Sequence, residues 1–249
     1  MSATKPVLLA SDAHLGGAPA EQERAFLAWL EHAGDAASRI ILNGDVFDFW
    51  FEYRTGTTRG HEVVLDLLRR VVDGGVPVTL VGGNHDWWGG PYLRDEIGLE
   101  LLAAPDVREV AGRRTFLAHG DGLGRGDVGY RLLKSVLRGR LMRAAFATLP
   151  PALGDRVARG VSRTGRKWDE WGPHQEARSR VLAAWAEARL LSDPELDLVV
   201  LGHTHRPLLR EVRAGQWYVN TGDWVTHRSY VVLEPSRDPR LLEWDGGAR

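Results

Sequence analysis

Short apolar, β-branched runs alternate with stretches of helical period along the first half of the chain. Val7 to Ala10, Ile40 to Leu42 and Val78 to Val81 read as buried strands. Between them, Arg24 to Leu30 and Glu62 to Val72 carry apolar residues at the spacing of one helix face. Strand, helix, strand, helix, strand is the order of parallel β-α-β units. Beyond Val107 the pattern changes to short strands, expected at Thr115 to Ala118, Leu198 to Leu201, Leu208 to Val212, Gln216 to Val219 and Ser229 to Leu233. Two packed mixed sheets flanked by helices accommodate both halves.

With 249 residues, 43% of them hydrophobic, the chain can bury one large core, and a single α/β domain over residues 1–249 is expected. Residues 124–191 differ from the rest: they are rich in Arg and Ala, helical in period, and broken at Pro150-Pro151 and Gly172-Pro173. From Gly124 to Arg180 there are thirteen basic residues against five acidic ones, a local excess of +8 in a chain whose net charge is -1. This stretch is expected to form an inserted basic helical lid. The near-neutral total gives no global field for nucleic acid, and none is expected as a partner. Cysteine is absent, which excludes disulfides and thiolate ligands and suits a reducing compartment. Any metal must be held by nitrogen and oxygen. No apolar run approaches the ~18 residues of a spanning helix. A soluble, cytoplasmic protein is expected, able to dock peripherally on the inner face of the cytoplasmic membrane.

The expected strand ends share a chemistry. Ser11-Asp12-Ala13-His14, Gly44-Asp45-Val46-Phe47-Asp48, Gly83-Asn84-His85-Asp86, His119-Gly120-Asp121 and Gly202-His203-Thr204-His205 each follow an apolar run. Open α/β sheets build their sites at such carboxyl ends. Asp-x-His and His-x-His send both members to one side of an extended segment. Taken singly, Gly-Asp is usually a turn and Asn-His a helix cap. Five such blocks in order point to one shared site.

In these blocks the sequence closely resembles the calcineurin-like metallophosphoesterases, whose signature runs Asp-x-His, Gly-Asp-x-x-Asp, Gly-Asn-His-Asp/Glu, His and Gly-His-x-His. The resemblance implies a four-layer α-β-β-α sandwich and two divalent metal ions. It assigns Asp12, His14 and His205 to the first ion, Asn84, His119 and His203 to the second, and Asp45 to a bridge between them. It makes His85 a catalytic group at the phosphate, oriented by Asp86, and leaves Asp48 to orient a ligand. Two ions ~3.5 to 4 Å apart can share a hydroxide and clamp the phosphoryl oxygens during in-line displacement. Sulfur-free ligation suits manganese, the first expectation, or iron or zinc.

Gly44 to Tyr53, the block order and the helical insertion after Asp121 look like the UDP-2,3-diacylglucosamine diphosphatase group of lipid A biosynthesis. That likeness implies cleavage of a nucleotide-linked glycolipid at its pyrophosphate, giving UMP and the acylated sugar 1-phosphate. One departure is His85, where the best-known members carry Arg; the chain fits a divergent branch. From Arg131 onward, Leu133, Val136, Leu137, Leu141 and Ala144 follow helical spacing, while Arg131, Lys134 and Arg138 form a cationic row. Such a helix can receive acyl chains and pyrophosphate or lie on an anionic surface. Arg131, Lys134, Leu133 and Leu137 are therefore candidate substrate contacts, with Trp50, Trp87 and Trp88 as candidate pocket aromatics. Competing readings are a generic nucleotide or phosphodiester hydrolase, a metal-dependent nuclease, and a non-catalytic scaffold. No protein partner is expected.

Overall fold

The computed structural model describes residues 5–102, 105–125, 139–161 and 173–247. Strands β1 (Val7–Ala10), β2 (Arg39–Leu42), β5 (Val78–Val81) and β6 (Glu100–Leu102) lie parallel in one sheet, extended at its other edge by β12 (Ser229–Leu233) and β13 (Arg240–Glu243), in the order β13-β12-β1-β2-β5-β6. The second sheet runs β10 (Leu208–Arg213), β11 (Gln216–Asn220), β9 (Leu198–Leu201), β8 (Arg113–Leu117), β7 (Asp106–Val110), with β8, β9 and β11 mutually parallel. A small hairpin, β3 (Glu52–Tyr53) with β4 (Gly56–Thr57), stands apart.

Because side chains alternate along a strand, each central strand feeds two cores. Val7 and Leu9, with Ile41 and Val81, face Leu117, Leu198, Val200 and Val219 of the other sheet. Their neighbours Leu8 and Ala10 face outward and meet helices α1 (Ala20–Ala36) and α2 (Glu62–Asp73). Those helices bury Phe26, Trp29, Leu30 and Ala33, and Val64, Leu65, Leu67, Leu68 and Val71. Both sets have the i, i+3, i+4, i+7 spacing of an amphipathic face. On the far side, α5 (Pro173–Ser192) lays Leu182, Ala183, Ala186 and Leu190 on Val199, Leu201 and Tyr218 of the second sheet. Helix, sheet, sheet, helix is the resulting layer order. Each fully buried Leu, Ile or Val contributes about 1.5–3 kcal/mol to this packing.

The expected lid is therefore redrawn. Helix α5 lies within residues 124–191 but is a layer of the sandwich, and its charged residues occupy the solvent side of a helix whose other face is core. Of the rest, α3 (Arg140–Ala147) and α4 (Pro151–Val161) are described. Phe146 of α3 enters a ring cluster with Phe49, Phe51, Tyr53 and Trp88. Asp155 of α4 is buried and accepts from the Tyr53 hydroxyl at 2.9 Å. Arg131, Leu133, Lys134 and Leu137 lie outside the described residues.

Candidate metal centre

The site is built at the carboxyl ends of parallel strands from both sheets. The segments that follow β1, β2, β5, β8 and β9 carry the five sequence blocks. They are stitched together by backbone hydrogen bonds: Asp12 N to Gly44 O (3.0 Å), His14 N to Asp45 O (3.0 Å) and Gly202 N to His119 O (2.8 Å). The side chain of Asn43 donates to Ala118 O at 2.9 Å and ties the two sheets together beside the site.

Asp12, His14, Asp45, His203 and His205 all have positive φ, between 46° and 69°. Non-glycine residues seldom adopt that conformation, and it concentrates where function over-determines the backbone. Here it turns the ligand side chains into one cavity. Asp12 Oδ1 lies 3.3 Å from His205 Nε2 and 3.9 Å from both His14 Nε2 and His119 Nε2. Asp45 Oδ2 lies 3.1 Å from His119 Nε2 and 4.0 Å from His14 Nε2. The donor atoms of Asp12, His14 and His205 fall within 4.8 Å of one another, as do those of Asp45, His119 and His203. Asn84, on the loop after β5, has its Oδ1 buried and without a hydrogen-bond partner.

Burial by itself would raise the carboxyl pKa values and lower the imidazole ones, and for Asp12, Asp45, His119 and His205 the neighbouring charges win. Asp45 is held well below its ordinary value by His119 and His85, despite burial. Burial likewise opposes the rise at His119, which Asp45 and Asp12 lift well above the usual imidazole value. His205, also opposed by burial, is lifted to about 10 by Asp12 and Asp223. Burial dominates at His203, with His119 adding to it, and takes it down to about 4. Two buried carboxylates are costly unless matched by positive charge, and this cavity attracts it strongly. An unpartnered amide oxygen, imidazole lone pairs and two carboxylates, without sulfur, fit divalent transition cations.

Supporting contacts set the imidazole tautomers. His119 Nδ1 donates to Asn43 O at 2.9 Å, which leaves Nε2 for a ligand. His205 Nδ1 is 3.2 Å from Asp223 Oδ2. Glycines keep the cavity open: a Cβ on Gly44 would meet His119 Nδ1 at 2.5 Å, and one on Gly202 would meet Asp12 Oδ2 at 2.6 Å.

His85 stands beside this cage. Its Nδ1 donates to Asp48 O at 2.6 Å, Asp48 Oδ1 is 3.7 Å away, and Nε2 faces Asp45 Oδ2 at 4.0 Å. The expected orienting role of Asp86 is corrected, because Asp48 holds the ring. The buried Asp86 carboxylate instead accepts from the backbone N–H groups of Gly83 (2.9 Å), Asp45 (3.2 Å) and Val46 (2.7 Å), locking two ligand loops together. Asp48 Oδ1 also lies 3.7 Å from His14 Nδ1.

Trp50 is likewise corrected. It is 0% exposed and packed on Phe47, His61 and Tyr92, so it is core and lines no pocket. Trp87 is half-buried in a crevice with Leu80, Leu101 and Leu102. Trp88, also half-buried, joins Phe146 at the junction with the inserted segment. Sequence reasoning missed Asp223 and Glu52. The Glu52 carboxylate accepts from Gly90, Tyr92 and Leu93 N–H at 2.8 to 3.2 Å and anchors the chain that follows Trp87-Trp88. A lone acid in an aromatic run carries no signal of that kind. Asp223 could have been suspected from its place directly after an apolar strand and a glycine.

With fold and cage in place, the class follows: residues 5–207 match the calcineurin-like phosphoesterase model, and the chain belongs to that family of metal-dependent phosphoesterases. At finer grain, it is 31% identical over 245 residues to a UDP-2,3-diacylglucosamine hydrolase of Porphyromonas gingivalis, covering 92% of this chain and 94% of that protein. A Bordetella pertussis protein of the same name is 34% identical over 208 residues, 81% of this chain and 78% of the relative. Among solved structures, Vps29 from Entamoeba histolytica is similar with a TM-score of 0.44 and 16% identity, covering 96% of this chain and 99% of that one. Among the described residues, no helix is long and apolar enough to cross a membrane.

Proposed function

We propose that this phosphoesterase hydrolyses the pyrophosphate of UDP-2,3-diacylglucosamine, releasing UMP and the acylated sugar 1-phosphate. The observation that carries the reading is the likeness to a relative of that name across 92% of the chain, and it is supported by the two donor clusters Asp12/His14/His205 and Asp45/His119/His203. In this reading Asp12, His14 and His205 hold one divalent cation, Asn84, His119 and His203 hold a second, and Asp45 serves both. When bound, such a pair lowers the pKa of a shared water and neutralises charge on phosphoryl oxygens. Manganese is the ion to test first.

The chain's own groups do the remaining work. His85 has its Nδ1 proton committed to Asp48 O, so its Nε2 is directed to the cage side, where it can hold a proton against a phosphoryl or leaving oxygen. Asp86 keeps the loops of Asp45 and Asn84 in register. The inserted segment, with its apolar stripe and basic row, receives the acyl chains and the pyrophosphate and can rest on an anionic bilayer from the cytoplasmic side. Trp88 stacks on Phe146, the point where that segment packs on the aromatic run after β5.

The test is UMP release from UDP-2,3-diacylglucosamine against a panel of nucleotides and small phosphodiesters, after EDTA treatment and manganese addition. The lipid-linked substrate should have the highest kcat/KM. A variant with Leu133→Ser and Leu137→Ser should lose far more turnover on that substrate than on a small phosphodiester, with metal content unchanged. Equal kcat/KM for small phosphodiesters and the glycolipid would sink the substrate assignment and leave a generic phosphodiesterase.

A further inference from the structure

Asp223 lies outside the cage and outside every block that the sequence singled out. It follows β11 in the turn Asn220-Thr221-Gly222-Asp223 and is 1% exposed. Its two oxygens have separate partners. Oδ1 accepts the backbone N–H of Thr226 at 3.1 Å and of His227 at 2.9 Å, and lies 3.1 Å from His227 Nδ1. Oδ2 is left for His205 Nδ1 at 3.2 Å. An ionised carboxylate only accepts hydrogen bonds, so His205 must present Nδ1–H to it. With Nδ1–H committed to Asp223, the proton that His205 gives up to a cation is the one on Nε2, the atom 3.3 Å from Asp12 Oδ1 and 3.3 Å from His14 Nε2.

The same loop also supports Asp12. Thr221 Oγ1 bonds to Ser11 Oγ, which donates to Asp12 Oδ2, and Trp224 N donates to Asp12 O at 3.1 Å. The other half-cage is supported differently, since His119 is set by the Asn43 carbonyl. Support from the Thr221–Ser229 loop thus converges on the Asp12/His14/His205 half.

We propose that Asp223 is a positioning residue that fixes the tautomer and ring plane of His205, and through them the affinity of one cation site and not the other. His227 holds the carboxylate from its solvent side. The proposal rests on the cage reading above. Removing a partner of this kind commonly weakens a metal site ~10- to 100-fold.

Asp223→Asn is the informative change. Its carbonyl oxygen can stay on the Thr226 and His227 N–H groups, which preserves the loop, while its NH₂ faces His205 Nδ1 and favours the Nε2–H tautomer, which cannot ligate. The full-length protein is titrated with Mn²⁺ in competition with a chelating dye, and its thermal midpoint is measured in EDTA. The expected result is one site weakened ~10- to 100-fold, the second unchanged, and an unaltered midpoint in EDTA. In a His205→Ala background, Asp223→Asn should add no further loss. Wild-type affinity at both sites, or equal weakening of both with a lowered EDTA midpoint, would overturn the proposal and reduce Asp223 to loop support. Should the Asn variant not fold, Asp223→Ser, whose hydroxyl can still accept from the loop N–H groups, carries the same comparison. The His205→Ala protein separates the two readings: if it takes up Mn²⁺ like wild type, the cage assignment fails, whatever Asp223 does.

Discussion

Gly83→Ala tests the cage without touching a ligand. Gly83 ends the segment after β5, and a Cβ there would sit 2.5 Å from Asp45 N and 2.9 Å from Asp45 Cγ. The Cβ would lie closer still to Asp45 Oδ1, and since carbon contacts relax to about 3.5 Å, Asp45 must retreat by roughly 1 Å or more. It has little freedom to do so. Its N–H is bonded to Asp86 and its Oδ1 accepts His85 N–H at 2.9 Å. Overpacking of this kind costs about 1–3 kcal/mol of stability, and a displacement near 1 Å in a reacting centre costs about 100-fold in rate. Gly112→Ala is the control, because its φ of 75° strains the backbone while nothing lies within 4 Å. It should lose about 1–2 kcal/mol and keep full activity. The assay pairs initial rates on a small chromogenic phosphodiester with metal stoichiometry by mass spectrometry and a urea midpoint. Gly83→Ala should fall at least ~100-fold in rate and lose bound metal. Wild-type rate and stoichiometry in a folded Gly83→Ala protein would refute the bridging position of Asp45.

His85→Ala should lower kcat by roughly 10²- to 10⁴-fold, as expected of an acid–base group, with metal content unchanged; parallel loss of metal would make His85 a ligand or a structural support. Metal uptake should also release protons. His205, raised to about 10, and His119, raised well above its usual value, carry protons at neutral pH that a cation must displace. Removing the competing proton favours the ion, so affinity should climb from pH 7 towards 10. Calorimetric titrations in buffers of different ionisation enthalpy check this, and identical heats in all of them would contradict it.

Much of this was readable in the chain itself, because the signals are local. Short apolar runs at Val7 to Ala10 and Val78 to Val81 and helical spacing in Glu62 to Val72 are local signals of buried strand and amphipathic helix, and the structure puts elements there. The ligand blocks were visible because each is a short run with unusual donors at a strand end. Long-range placement was not visible. Trp50 and Trp88 belong to similar aromatic runs, yet one is sealed among Phe47, His61 and Tyr92 while the other meets Phe146 across the inserted segment. Asp86 adjoins His85 in sequence, but its carboxylate turns inward to three backbone N–H groups and the ring is held by Asp48, 37 positions away. Helix α5 shares the Arg and Ala content of the inserted segment, and only its seat on Val199 and Leu201 makes it a layer of the core. Asp223 supports a ligand 18 positions away through a turn that sequence spacing does not encode. Period and residue type determine which elements form and which groups can bind metal. Which carboxylate binds, which one pins a loop and which helix is core depends on contacts between distant segments, and those exist only once the sheets have packed.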